Sequence, residues 1–407
     1  MERLEIDYRE QQLLAQIRML LETTQSTHLK QRLANAGLAV HTLQSVTDLN
    51  QLPVLRKDDL RELQAADPPF GGLLGVSIDH IERIYQSPGP IYDPQGKGID
   101  YWGWRPALEA AKFTAGDRVL VCFAYHLTPA GQMFDDGARA LGCVVIPGGI
   151  GNQEQQVDLI AQLGVTAYIG LPSYLNALLE RAEQAGYTKA ASWALRKAYV
   201  TAEPLPPSLR QALTDRGLSV FQAYGTADLG CVAYECEAQD GLHIRADLLV
   251  DICDPTNGQP LPPEQIGEIV VTTLEPTYPL VRFGTGDLSA LSTQPCACRR
   301  TTPRLLGIRG RLGQGIKVRG LFVYPHQLRT ALADLPGVTA FSGCITRHNH
   351  RDQLAVELEL ADDAPNNLLE QASQRLQNVL KLRCDVRAVA PGALSDLPML
   401  RDERVWE

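Results

Sequence analysis

The sequence predicts an α/β protein: a large N-terminal domain of βαβ layers and mixed sheets, with a small C-terminal α+β domain joined to it by a hinge. Three observations predict this. From residue 117 to about 186, short apolar runs alternate with helical stretches across short Gly-rich links, the pattern of βαβ units and a parallel sheet. Beyond Gly217 the pattern changes to short strands separated by turns, the mark of a mixed or antiparallel sheet. The last hundred residues form a third, α+β pattern, and GRLGQG at 310–315 places three glycines in six residues before it, a flexible link. The domains are therefore set at 1–309 and 310–407. A chain of 407 residues is in any case long for a single core.

The elements follow in order. Over residues 8–36, Leu13, Leu14, Ile17, Leu20 and Leu21, then Leu29 and Leu33, recur at helical spacing up to Gly37, predicting a helical opening segment. YQSPGPIYDPQGKG at 85–98 reads as a surface turn or a phosphate-gripping loop. Gly89, Gly96 and Lys97 approach the P-loop pattern, but the spacer is six residues and no Ser or Thr follows the lysine. DRVLVCFAY, CVVIPGG and VTAYIGLP then read as strands, with GQMFDDGARALG, NQEQQVDLIAQLG and SYLNALLERAEQAG as their helices. LSVFQAYG, GLHIRADLLVDICD, GEIVVTTL and YPLVRFGTGDLSAL read as the strands of the second region. The C-terminal pattern predicts strands near 316–323, 340–346, 354–360 and 384–389, with a helix over 366–381.

Composition narrows the function. Hydrophobic residues make up 44% and charged residues 21%, as in soluble globular proteins, and a net charge of −9 without a basic tract argues against a nucleic-acid partner. The amphipathic N-terminal stretch lacks the apolar centre of a signal peptide and no run reaches membrane-spanning length, so the expectation is a cytoplasmic protein with no membrane partner. Nine cysteines, an odd number over a long chain, fit a reducing compartment better than a disulfide framework. Clustering among them would then point to metal.

Eight segments in order carry a resemblance: LPVLRKDDLR (52–61), LGCVVIPGG (141–149), LPSYL (171–175), TAEPLPPSLR (201–210), AYGTADLG (223–230), GEIVVTTLEPTYPLVRFGTGDLSAL (267–291), CAC (296–298) and GRLGQGIKVRGLFVYPHQL (310–328). Together they resemble the phenylacetate–coenzyme A ligase branch of the adenylate-forming enzymes over nearly the whole chain. The resemblance implies an enzyme that adenylates a carboxylic acid with ATP and Mg2+ and hands the acyl group to coenzyme A or an acyl carrier protein as its C-terminal domain rotates. It also implies a homodimer. Tyr224 would stack on adenine, with Ala202, Glu203 and Pro204 lining the base and Gly225 and Thr226 beside it. Asp287 would accept from both ribose hydroxyls, and Arg311 would reach the nucleotide from the hinge. Tyr125, His126, Gly148, Gly149 and Tyr174 would form the acid pocket, with an aromatic and small-residue wall suited to a flat aromatic or short acid.

Departures from the family pattern concentrate on the phosphate chemistry. Asp228 stands where the family usually has a metal-holding glutamate. The phosphate loop keeps Ser87, Gly89, Gly96 and Lys97 but little else, leaving Lys97 as its charge. No lysine follows Lys381, and Arg401 takes roughly the place of the family's C-terminal catalytic lysine. Gly313 replaces a usual acidic residue in the hinge. The alternative expectation is accordingly a non-adenylating relative, either an acyl transferase acting on a carrier protein or a nucleotide- or acyl-binding protein without ATP turnover. Cys236, His243, Cys296 and Cys298, with Cys231 in reserve, match positions where family members can carry a structural zinc; the other reading is a set of reduced thiols and a histidine.

Overall fold

The computed structural model describes residues 2–87, 90–189, 193–312, 315–319, 321–348, 351–361 and 364–404. The chain divides into two compact units, 1–204 with 212–310, and 205–211 with 311–407.

The first unit is organised around a nine-stranded sheet. Val144–Pro147, Arg118–Val121, Ala167–Gly170, Lys197–Val200 and Ser219–Thr226 lie side by side and parallel. The sheet then continues antiparallel through Gly230–Tyr234, Leu242–Ile244, Arg304–Leu305 and Leu291–Ser292. The parallel strands are short because helices cross between them: Ala130–Ala140, Gln153–Gln162 and Pro172–Gln184, the last opening on a proline that sits well at a first helical position. Ala167–Gly170 is buried throughout, as a strand covered on both faces must be. A second sheet runs Leu55–Arg56, Phe283–Ser289, Gly267–Thr273, Leu248–Cys253, and its strand Gly267–Thr273 is wholly buried.

The helical opening segment is borne out, and one expectation changes. The opening segment is two helices, Glu2–Thr23 and Thr27–Asn35, because Ser26 accepts the Leu29 N–H and starts the second one; the apolar spacing runs on across the break. Residues 85–98 are not a loop. Ile81–Ser87 and Ile91–Gly96 form an antiparallel hairpin, with Ser87 paired to Ile91 at the turn and Ile81 to Gly96 at the other end. Pro88 and Gly89 fall outside the described residues.

In the second unit a four-stranded sheet has the order Asp385–Val389, Arg351–Leu360, Val338–His348, Leu400–Asp402. The helix Leu368–Leu380 buries Leu368, Ala372, Leu376 and Leu380, one residue per turn, together with Leu328 and Leu332 of Pro325–Leu332. Gly313 lies outside the described residues.

Candidate active site

The strand Ser219–Thr226 delivers Tyr224, Gly225 and Thr226 to the end of the parallel sheet, where α/β folds place ligands. Tyr224 is buried, and its hydroxyl donates to Asp287 Oδ2 at 2.8 Å. Asp287 comes from Phe283–Ser289 of the other sheet, so this bond joins the two sheets at the residues expected to meet base and ribose. Gly225 has to be glycine: a Cβ there would lie 2.4 Å from the Gly230 carbonyl and 2.8 Å from the Trp104 ring. Thr226 Oγ1 accepts the Leu229 N–H at 3.2 Å, closing the turn that carries Asp228 inward. Ala202 adopts φ +68°, a left-handed conformation uncommon outside glycine, and the next residue, Glu203, accepts from Ser173 Oγ at 2.6 Å. Pro204 is exposed.

The acid-side residues also meet. Gln156 Nε2 donates to the carbonyls of Gly148 and Gly149 at 3.0 and 3.2 Å, and its Oε1 accepts from the Tyr174 hydroxyl at 2.6 Å. Burial pushes the Tyr174 phenol up to about 12, so it stays a donor across the physiological range. Tyr125 directs its hydroxyl toward Asp135, and burial raises its pKa as well. His126 is exposed. The Gln86 N–H donates to the Leu127 carbonyl at 2.8 Å, which ties this segment to the hairpin just before its turn.

Around Asp228 lie residues that the sequence did not single out. Lys57, the first residue of the helix Lys57–Ala66, places Nζ 2.9 Å from Asp228 Oδ2. Asp93, in the second hairpin strand, is 1% exposed. Burial and then the Asp228 carboxylate hold its carboxyl well above the usual range. Gln64 fixes that strand by donating to the Tyr92 carbonyl and accepting the Tyr92 N–H, each at 2.8 Å.

Of the two charges expected at the phosphates, Lys97 stands elsewhere in the first unit and Arg401 is engaged within the second. Lys97 follows the hairpin end opposite the turn, a strand of six residues or roughly 20 Å away, so the hairpin's own geometry separates it from the turn it was expected to serve. It lines a separate cavity with Met19, Thr23, Asp247 and Glu275. Arg401, on Leu400–Asp402, is 14% exposed and already engaged: Nη2 meets Glu357 at 2.6 Å, Nη1 the Ser342 hydroxyl at 2.7 Å and Nε Glu403 at 2.6 Å. Arg311 ends the short strand Gly310–Arg311.

Cys236, His243, Cys296 and Cys298 converge, with all four ligand atoms within 4.8 Å of one another. Cys236 and Cys296 sulfurs are 3.7 Å apart, and Cys298 Sγ is 3.3 Å from His243 Nε2. Zn–S bonds near 2.3 Å would set two sulfurs of a tetrahedron about 3.8 Å apart, so the cluster fits a closed zinc site. His243 Nδ1 lies 3.1 Å from the Thr302 carbonyl, which orients the ring and leaves Nε2 toward the thiols. Burial lowers the histidine pKa, favouring the neutral, ligating form.

The AMP-binding enzyme model matches residues 109–274 and the AMP-binding enzyme C-terminal domain model residues 320–405. Phenylacetate-coenzyme A ligase of Thermus thermophilus is 31% identical over 81% of this chain and 76% of its own length, and that of Escherichia coli (strain K12) is 29% identical over 88% and 85%. A solved structure of 2-hydroxyisobutyryl-CoA ligase, in complex with 2-HIB-AMP and CoA, superposes with a TM-score of 0.86 at 26% identity, covering 98% of this chain and 90% of that one. The chain belongs to the phenylacetate–coenzyme A ligase family of AMP-binding enzymes.

Proposed function

We propose that this chain is an AMP-forming acid–thiol ligase that activates a small or aromatic carboxylic acid and passes the acyl group to coenzyme A. The observation that carries this reading is the Tyr224–Asp287 bond, which presets a flat ring beside a carboxylate in a chain of this family. A carboxylate oxygen of the acid forms a bond to the α-phosphorus of ATP as the α,β-bridging bond breaks and pyrophosphate leaves. The thiol sulfur then bonds to the acyl carbon, its proton is released to solvent, and AMP leaves with the electron pair of the acyl–oxygen bond. Asp287 orients the ribose, Tyr224 packs against the base, and the Gly148–Gly149–Gln156–Tyr174 network shapes the acid pocket. Asp228 is the residue we assign to Mg2+, which would offset phosphate charge; its buried Oδ1 has no hydrogen-bond donor among the described residues, as a ligand oxygen in waiting requires.

We assign zinc to the Cys/His cluster, far in kind from the reacting groups and structural in role. About one equivalent of zinc in purified protein, with loss of thermal stability on chelation, is the expected result; less than a tenth of an equivalent and an unchanged melting temperature refutes it. A second reading, a non-adenylating relative, is favoured by Arg401, whose three side-chain partners leave it little freedom to serve a substrate. The deciding measurement is pyrophosphate release and thioester formation across a panel of aromatic and aliphatic acids with ATP and coenzyme A. No release with any acid moves the assignment to the second reading.

A further inference from the structure

Three carboxylate oxygens are buried in the first unit without a donor among the described residues, both of Asp93 and Oδ1 of Asp228, and the Asp228 carboxylate acts electrostatically on Asp93. Neither side chain is more than 1% exposed. The nearby Ser87 hydroxyl lies 3.3 Å from the Ile91 carbonyl, and Lys57 Nζ lies 2.9 Å from Asp228 Oδ2. Buried carboxylate oxygens without donors are costly, so a native interior that keeps three of them keeps them for a ligand. A proton is a poor candidate for that ligand. Held by one Asp93 oxygen and donated to Asp228 Oδ1, it would serve two of the three oxygens and leave the third bare.

We propose that Asp93 and Asp228 together form a two-carboxylate site for a hard divalent cation of the magnesium class, filled before the nucleotide arrives. The proposal rests on the reading of Asp228 as the metal-holding residue and adds a second protein ligand from the hairpin strand. Hard cations of this class take oxygen ligands, and Mg2+ sites of this type use one or two carboxylates and leave the remaining positions to water and phosphate. The hairpin has few hydroxyls to offer a phosphate, and Asp93 gives it a different means of holding charge there. Gln64 serves as a positioning residue, since its paired bonds to Tyr92 set the strand one residue before Asp93.

The test is Mn2+ binding to the full chain, purified with its zinc and without nucleotide, followed by the free-ion electron paramagnetic resonance signal. One Mn2+ displaced by Mg2+ is expected, and Asp93→Asn should weaken its affinity at least tenfold while the circular dichroism spectrum stays the same. Equal Mn2+ affinity in Asp93→Asn and the parent overturns the proposal, even where ligase activity is present. Mn2+ binding that depends on Asp93 in a chain that releases no pyrophosphate sustains the site and rejects the ligase reading instead. Should Asp93→Asn fail to fold, the parent decides: a nucleotide-free melting temperature raised by millimolar Mg2+ and by Mn2+ supports the site, and none raised by either overturns it.

Discussion

The two sides of the candidate nucleotide site are finished to different degrees. On the base and ribose side, Tyr224 and Asp287 satisfy each other at 2.8 Å and need no ligand to hold their positions. On the phosphate side, Asp93 and Asp228 keep three buried oxygens without donors among the described residues, with Lys57 answering one other. A closed pair of this kind is a preorganised surface, whose cost of ordering is met in folding. An open set is held in place only by the fold around it, and its geometry depends on what binds. The contrast teaches that recognition and chemistry are separable here: the first should tolerate changes in the second.

The largest expected effect breaks the closed side. Asp287→Ala removes a charged acceptor for the ribose hydroxyls, worth roughly 3–4 kcal/mol for two charge-assisted hydrogen bonds. AMP affinity and kcat/KM for adenylation should both fall by about two to three orders of magnitude, at tenfold per ~1.4 kcal/mol. Calorimetry of AMP binding beside pyrophosphate release checks both; a loss in turnover alone would contradict the recognition role. Tyr224→Phe sharpens the same point. It keeps the ring and deletes one neutral-to-charged hydrogen bond, so AMP affinity should drop only about 3- to 10-fold.

The difference between the two sides also explains what the sequence could reveal. Tyr224, Gly225 and Asp287 sit in contiguous motifs that single them out, and the structure brings them together. The Cys/His cluster was legible for the same reason: few residue types make it, and no second group of this kind occurs among the described residues. Asp93 and Lys57 were not. Prolines at 88, 90 and 94 argued for a turn, which hid the alternation that turns Ile91, Asp93 and Gln95 inward and Tyr92 outward. Pro94 is tolerated because a two-stranded hairpin leaves each strand a free edge, where a missing donor breaks no ladder bond. Lys57 looked like one more charge at a helix start, and only its distance to Asp228 distinguishes it. Arg401 was placed by its position in the tail, yet position says nothing about prior engagements. Glu357 and Glu403 claim it through contacts spread over residues 342–403.

That engagement gives a smaller effect, on stability before activity. Arg401, with Arg387 as second partner, holds the Glu357 pKa below its ordinary value. A depressed folded-state pKa contributes stability above the unfolded value, near 4.3, and the contribution is lost as pH falls through the folded value. Arg401→Ala should therefore destabilise the chain by about 1–3 kcal/mol near neutral pH, and the gap from the parent should narrow below about pH 4. Adenylation should change by less than about fivefold, a smaller factor than a residue touching the reacting phosphate would give. Melting curves from pH 3 to 8 show whether the gap closes; a constant gap with a hundredfold loss of activity would return Arg401 to the substrate.

The smallest effect concerns Lys97, and it tests whether the phosphate side is correctly located. Sequence spacing made this residue the fixed charge of a phosphate grip, but the hairpin register sets it beyond Gly96, paired with the start of the other strand instead of the turn. At ~3.4 Å per residue that is too far for an ammonium on a four-carbon stem to reach a phosphate held at Ser87 and Ile91. Its nearer neighbours are the acidic residues Asp100, Asp247 and Glu275 of a separate cavity, which would repel a nucleotide's phosphates. Lys97→Ala should consequently leave AMP affinity, ATP affinity and pyrophosphate release within about twofold of the parent, since exposed charges of this kind are worth little. A selective loss of tenfold or more in ATP affinity, with AMP affinity intact, would show that the β- and γ-phosphates lie along the hairpin toward Lys97, and would move the charge-balancing role away from Asp93, Asp228 and Lys57.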